Sequence, residues 1–261
     1  MNEPSRLSRW ACPTPDLPNQ TSIKHAAAVY KKLQAVESLV ASPERLAGLE
    51  LEVSLKLLSG GLASTTPDND FWREKCRSLL LRPSMEGIAM AYWAPLTQRE
   101  FDSAKALHIG SILAGKRLII RDKDIVGESR RRDVKFEDPV QAQTWLDDVI
   151  RASKDTALVR LLPAYCYARI ILAHPYSDGN GRFARYMIHA ALAHIGVTSG
   201  PVVALAPAFY RRAETMAAAL EELSERNDWT GYFDVFLGLL GEAADLTWTY
   251  LGGPRDLSRS N

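Results

Sequence analysis

The sequence predicts a mainly α-helical chain with one small β-hairpin, and three observations carry that expectation. Apolar residues recur at helical spacing, as at Phe183, Met187, Ile188, Ala191, Leu192 and Ile195. Helix-start signals stand ahead of such runs: Ser42 before Pro43, Thr97 three residues before Glu100, and Asp228 before Trp229. β-prone composition is confined to one stretch, between Arg117 and Phe136.

With 261 residues and 46% hydrophobic content, the chain can bury a full core, as one large domain or one domain with a smaller helical extension. It has no run of 18 or more apolar residues, and its first residues lack an apolar segment behind a basic start. Neither a membrane span nor a cleaved secretory signal is therefore expected. A net charge of +1, from 32 basic and 31 acidic residues, gives no reason to expect nucleic acid or a membrane surface as partner. The tryptophans are scattered and form no base-stacking set with interleaved basic residues. Cys12, Cys76 and Cys166 are odd in number, far apart and not in metal-like spacing. A reduced, cytoplasmic setting is the simplest reading, and secretion into a host cell by a dedicated apparatus would leave little trace in such a chain.

Taken in order, residues 1–20 carry four prolines among polar residues and read as an irregular arm that Trp10 anchors to the body. A helix is expected from 21 or 22 to 39, with His25 among alanines in a structural role. Ser42 then caps a second helix. Gly60-Gly61 and the polar run 64–70 read as a loop, followed by a short helix over about 71–81 that ends before Pro83. The helix from Thr97 carries Phe101, Ala104, Leu107, His108, Ile112 and Leu113, and His108 reads as a packing or hydrogen-bonding residue.

Leu118-Ile119-Ile120 and Ile125-Val126 are separated by a polar tetrad, and Arg130-Arg131-Arg132 precede Val134-Lys135-Phe136, so a hairpin is expected here. The basic triplet is either a contact for acidic or phosphate groups or a solvated turn. One helix is expected over 139–152, with Val140, Trp145, Leu146 and Val149 on its buried side. A buried helix over 157–173, the helix over 183–195, a further one over 206–223 and a last one from Asp228 complete the chain. The stretch from Gly252 reads as a tail.

Between the two most apolar helices lies His174-Pro175-Tyr176-Ser177-Asp178-Gly179-Asn180-Gly181-Arg182-Phe183-Ala184-Arg185, which is polar or flexible almost throughout. Pro175 stops the first helix. Gly179, Asn180 and Gly181 then stand at the mouth of the second, where backbone N–H groups and the positive end of the helix dipole favour an anion. Arg182 and Arg185 are three apart, on one helical face, and offer planar forks for phosphate oxygens. Asp178 beside a polyphosphate calls for a bridging cation, ordinarily Mg²⁺. His174 titrates near neutrality and suits a general base, while the amide of Asn180 can donate to a phosphoryl oxygen.

These twelve residues resemble the signature of the Fic family, His-x-Phe-x-[Asp/Glu]-Gly-Asn-Gly-Arg-x-x-Arg, departing from it only at Tyr176, where Phe is usual. The resemblance covers about residues 85–244. It implies an all-α Fic-fold helical bundle with a small β-hairpin flap over the active-site loop. The expected layout is an arm over 1–20, a helical extension over 21–84, the core over 85–244 and a tail over 245–261.

The implied activity is protein adenylylation: ATP as substrate, Mg²⁺ as cofactor, and AMP moved onto a Ser, Thr or Tyr hydroxyl of a target protein docked on the 117–136 flap. His174 is then the base, Asp178 the Mg²⁺ ligand, Gly179, Asn180 and Gly181 the anion hole, Arg182 a phosphate clamp and Arg185 the guide of the terminal phosphate. Related enzymes transfer UMP, phosphocholine or phosphate, and the intact Gly179-Asn180-Gly181 favours nucleotidyl transfer over phosphorylation. A module that binds nucleotide without chemistry is the remaining alternative. Glu86-Gly87 is similar to the end of the family's inhibitory helix, although Arg82 stands where Ser or Thr is usual; Glu86 either pairs with Arg185 as a brake or caps a helix at the surface. If Glu86 is not the brake, the resemblance admits a small antitoxin as partner, and it admits a homo-oligomer in either case.

Overall fold

The computed structural model describes residues 8–15, 18–39, 103–114, 117–129 and 132–253. Those residues fold as helices packed around two central ones, with a small sheet at one end. Following the first strand, β1 (Ser8–Arg9), Asn19 opens helix α1 (Gln20–Leu39), its side-chain carbonyl accepting the Ser22 N–H at 2.8 Å. Helix α2 is Ser103–Ala114; its expected cap at Thr97 lies outside the described residues. So do the second helix expected after Ser42, the 60–70 loop, the helix over 71–81 and Glu86.

The hairpin comprises β2 (Val126–Ser129) and β3 (Arg132–Lys135), antiparallel, with Gly127 facing Val134. The sheet order is β1-β3-β2, because β1 joins the far side of β3 in parallel, Ser8 against Val134 and Arg9 against Lys135. Leu118-Ile119-Ile120, expected as part of the hairpin, pairs elsewhere: Ile120 bridges antiparallel to Tyr176.

Asp138 caps helix α3 (Pro139–Ala142), and α4 (Trp145–Lys154) starts anew after a turn at Gln143–Thr144. The single helix expected over 139–152 is thus two. The break resets the helical phase, so Val140 is exposed while Trp145, Leu146, Val149 and Ala152 are buried. A 3₁₀ turn, Val159–Leu161, leads into α5 (Leu162–Ala173), in which every residue except Ile171 is buried. Helix α6 (Asn180–His194) packs along it and is buried continuously from Phe183 to Leu192. A residue sequence apolar on all sides is what a helix surrounded by others requires.

The stretch expected as one helix over 206–223 also divides, into α7 (Leu205–Arg211) and α8 (Ala213–Arg226). Asp228 caps the last helix, α9 (Trp229–Tyr250), as expected, accepting the Gly231 N–H at 2.9 Å. This helix passes position 245, where a tail was anticipated. Ala26, Val29, Leu33 and Val36 recur at helical spacing along α1 and bury its face on α9, which is tied to α5 by the Tyr232 hydroxyl donating to the Ala164 carbonyl at 2.8 Å. Among the described residues, no helix is long and apolar enough to cross a membrane.

One buried ionic cluster fastens the sheet to this core. Arg169 on α5 meets Glu137, just after β3, at 2.7 Å and Asp148 of α4 at 2.8 Å. Burial opposes the Arg169 charge, and the two carboxylates outweigh it, so its proton is held more firmly than usual. Breaking such a buried cluster by removing one partner costs roughly 3–5 kcal/mol, which makes the hairpin a rigid part of the bundle.

Candidate active site

The site is the junction between α5 and α6. Helix α5 ends at His174, whose backbone turns left-handed (φ 49°, ψ 56°) while its N–H still reaches the Ile170 carbonyl at 2.9 Å. A non-glycine residue in this region is unusual and reverses the chain sharply. The imidazole Nδ1 lies 3.1 Å from the Ile171 carbonyl. A carbonyl only accepts, so Nδ1 carries the proton and Nε2 presents its lone pair. Burial first, and the nearby Arg121 charge in addition, push the His174 pKa down to about 4, against the opposing pull of the Ile171 carbonyl and Asp178. The ring is therefore neutral, and a proton acceptor, at pH 7.

After Pro175, Tyr176 turns inward and is 1% exposed, its ring edge-on to Phe183 at 5.2 Å and to Trp145 at 6.4 Å. The position at which the signature has Phe is thus a buried one, filled here by the tyrosine. Backbone pairing holds the loop from the outside, Arg121 N–H to the Pro175 carbonyl at 3.0 Å and Ser177 N–H to the Ile119 carbonyl at 3.1 Å. Asn180 holds it from the inside. Its side-chain oxygen accepts the Tyr176 N–H at 3.0 Å and its amide nitrogen donates to the Tyr176 carbonyl at 2.8 Å. At 2% exposure, the Asn180 side chain is engaged in closing the loop on itself, a contact that the sequence did not predict.

Gly179 is the cap of α6, at φ 73°, a conformation that glycine adopts without penalty. The N–H groups of Asn180, Gly181 and Arg182 open the first turn, where a helix supplies no carbonyl four residues back. Asp178 is half-buried beside them, one carboxylate oxygen accepting the Gly179 N–H at 2.6 Å. At Gly181, an added Cβ would meet nothing closer than Arg185 Nη1, at 3.8 Å. Packing among the described residues does not demand a glycine there.

The same distance brings the Arg185 guanidinium to the helix mouth. Arg185 is 6% exposed, donates from Nη2 to the Tyr210 hydroxyl at 3.1 Å and lies 5.1 Å from the centre of that ring. Arg182 is half-buried on the first turn. The structure thus gathers His174, Asp178, Gly179, Asn180, Gly181, Arg182 and Arg185 at one junction. His108 is exposed instead of packed, and His25 faces Asp234 at 3.7 Å on α9, in a structural place.

Three residues at the site escaped the sequence reading. Arg121 is 3% exposed, and its Nε donates to the His174 carbonyl at 2.7 Å, Nη2 to the Ala173 carbonyl at 2.7 Å and to the Glu137 carbonyl, and Nη1 to the Lys123 carbonyl at 3.1 Å. It places a cation on the carbonyl end of α5, where the helix dipole favours one. Tyr210 holds Arg185, and Phe136 stacks on His174. Each acts through a partner distant in sequence, and no local pattern marks it.

The comparisons with known proteins agree with this geometry. The Fic/DOC family model matches residues 96–192. A Fic family protein from Desulfovibrio desulfuricans G20 is similar in structure, with a TM-score of 0.61 and 13% identity, over 91% of this chain and 77% of that one. A Fic domain containing signaling protein from Bacteroides thetaiotaomicron VPI-5482 has a TM-score of 0.53 and 13% identity, over 89% of this chain and 100% of its own. No curated protein matches in sequence. At such identities the structural likeness speaks for the fold, and the family match speaks for the loop and the helices around it. Residues 96–192 thus match the Fic/DOC family and the surrounding fold is that of Fic family proteins, which supports a Fic-type transferase in general.

Proposed function

We propose that the chain transfers AMP from ATP to a Ser, Thr or Tyr hydroxyl of a target protein. The observation that carries this reading is the neutral His174, its Nδ1 proton committed to the Ile171 carbonyl, at the mouth of a helix whose first turn faces outward bare of side chain at Gly181. His174 Nε2 takes the proton of the target hydroxyl as its oxygen bonds to the α-phosphorus. The bond from that phosphorus to the bridging oxygen breaks, and pyrophosphate leaves. The N–H groups at the start of α6 and the forks of Arg182 and Arg185 hold the phosphoryl oxygens as charge develops on them.

Asp178 would hold Mg²⁺, which would neutralise negative charge on the polyphosphate. The donor fits such an ion: Asp178 is a half-buried carboxylate beside the helix mouth, and Mg²⁺ commonly takes one or two carboxylates with the rest of its shell from phosphate and water. The target would dock by adding a strand to β2, one of the two outer strands of the sheet. Ile119, Ile120 and Val126, all exposed, offer apolar contacts for it.

Gly181→Ala tests the anion site. The added methyl has room and improves helix propensity by about 1 kcal/mol, so the variant should be as stable as the wild type or more so. Calorimetric titration with Mg²⁺ and ATP should nevertheless show binding weakened tenfold or more. Unaltered affinity would contradict a phosphate at this helix mouth.

A further inference from the structure

We propose that Phe136 and Trp10 are positioning residues for His174, and that the N-terminal strand is a strap that keeps them in place. The proposal rests on His174 being the base. One hydrogen bond at Nδ1 fixes the tautomer of an imidazole but leaves its plane free to swing. The plane is set by Phe136, whose ring stacks on it with centroids 3.9 Å apart and 20° between planes.

Phe136 is itself confined. Trp10 packs edge-on to it, with centroids 6.0 Å apart at 87°. On β2, an added Cβ at Gly127 would lie 2.8 Å from Phe136 Cε2, closer than carbon atoms approach, and 3.1 Å from Cζ, so the ring would have to shift. Gly127 is not among the glycines with positive φ, so its backbone would accept any residue. The ring of Phe136, and not the chain conformation, requires the glycine. His174, Gly127 and Trp10 thus enclose one aromatic ring.

Trp10 is 4% exposed and is delivered by the arm. Its N–H donates to the Lys135 carbonyl at 2.7 Å, extending the β1–β3 pairing by one residue. The arm is then fastened to three further elements: Ala11 N–H to Ser224 of α8 at 2.8 Å, Cys12 N–H to the Glu137 carboxylate at 3.0 Å, and the Trp229 indole N–H of α9 to the Thr14 carbonyl at 3.3 Å. A contact that runs from the arm through Trp10 and Phe136 to His174 makes the arm part of the catalytic geometry. Displacing a reacting group by about 1 Å can cost a hundredfold in rate.

The test uses the full chain with Gly127→Ala, Trp10→Ala and Trp10→Phe, read by NMR and by transfer kinetics. In the wild type, one imidazole Hε1 resonance, absent in His174→Ala, should be shifted upfield by the Phe136 face. Gly127→Ala and Trp10→Ala should return it toward the position of an unstacked histidine and lower kcat tenfold or more, with KM for ATP unchanged. Trp10→Phe should restore most of both. If Gly127→Ala folds with the wild-type resonance, or moves it without lowering kcat, the proposal is wrong. Should Trp10→Ala fail to fold, Gly127→Ala still decides, since a strand accepts alanine more readily than glycine. The resonance reports the stacking whether or not AMP is the group transferred, so failure of the functional reading would be seen separately, as absence of transfer in the wild type.

Discussion

Asn180 has the chemistry of a phosphate ligand, and the fold uses that chemistry to hold a loop. Both polar atoms of its side chain bond the backbone of Tyr176, at 3.0 and 2.8 Å, out of contact with water. Asn180→Ala would leave a buried N–H and a buried carbonyl without partners, at about 1–3 kcal/mol each. Urea denaturation should therefore show a loss of about 2–5 kcal/mol, larger than a surface substitution produces. A change below 1 kcal/mol would mean that the loop does not depend on this ring of bonds. The loop was legible in the sequence because His174, Asp178, Asn180, Arg182 and Arg185 form an uncommon polar set between two apolar helices. What each side chain touches was not, because Tyr176 offers its backbone, which sequence does not distinguish.

Helix α5 poses the same question for a whole element. It is buried along nearly all its length, so the carbonyls of its last turn cannot rely on water. Arg121 serves them from outside the helix, with the His174 carbonyl among its acceptors although 53 positions separate the two residues. A lysine in its place supplies the charge but not the planar fork that reaches four carbonyls. Arg121→Lys should therefore lower stability by about 2–4 kcal/mol and reduce kcat along with it, as thermal melts and transfer assays would show. If melts and kcat match the wild type, the clamp is dispensable. Sequence patterns located the helices of the described residues but joined some that are separate: the turn at Gln143–Thr144 and the break at Arg212 contain neither glycine nor proline to announce them. Both breaks follow from how the pieces pack, as the exposed Val140 records. The hairpin was legible in place but not in partners. Leu118-Ile119-Ile120 is as β-prone as its neighbours, and only the tertiary fold sends it to the Tyr176 loop and lets β1 take the open side of β3.

For the molecule as a whole, the arrangement puts His174 at the end of one buried helix and Gly179 at the start of the next, so that bundle stability and loop geometry share the same contacts. The helical class and the loop were legible because helical spacing and an uncommon set of polar residues survive in sequence alone. The arm was legible only as an anchor at Trp10; its pairing with β3 depends on parallel partners more than 120 positions apart. In the mechanism proposed above, His174 promotes transfer of the α-phosphoryl group of ATP with its nucleoside. The most direct measurement supplies wild-type and His174→Ala protein with Mg²⁺ and ATP labelled either at the α- or at the γ-phosphate, together with candidate target proteins, and counts label on protein. Label should come from α-labelled ATP alone, present with the wild type and reduced at least a hundredfold with His174→Ala. Label from γ-labelled ATP alone, or α-label unaffected by the substitution, would contradict that mechanism.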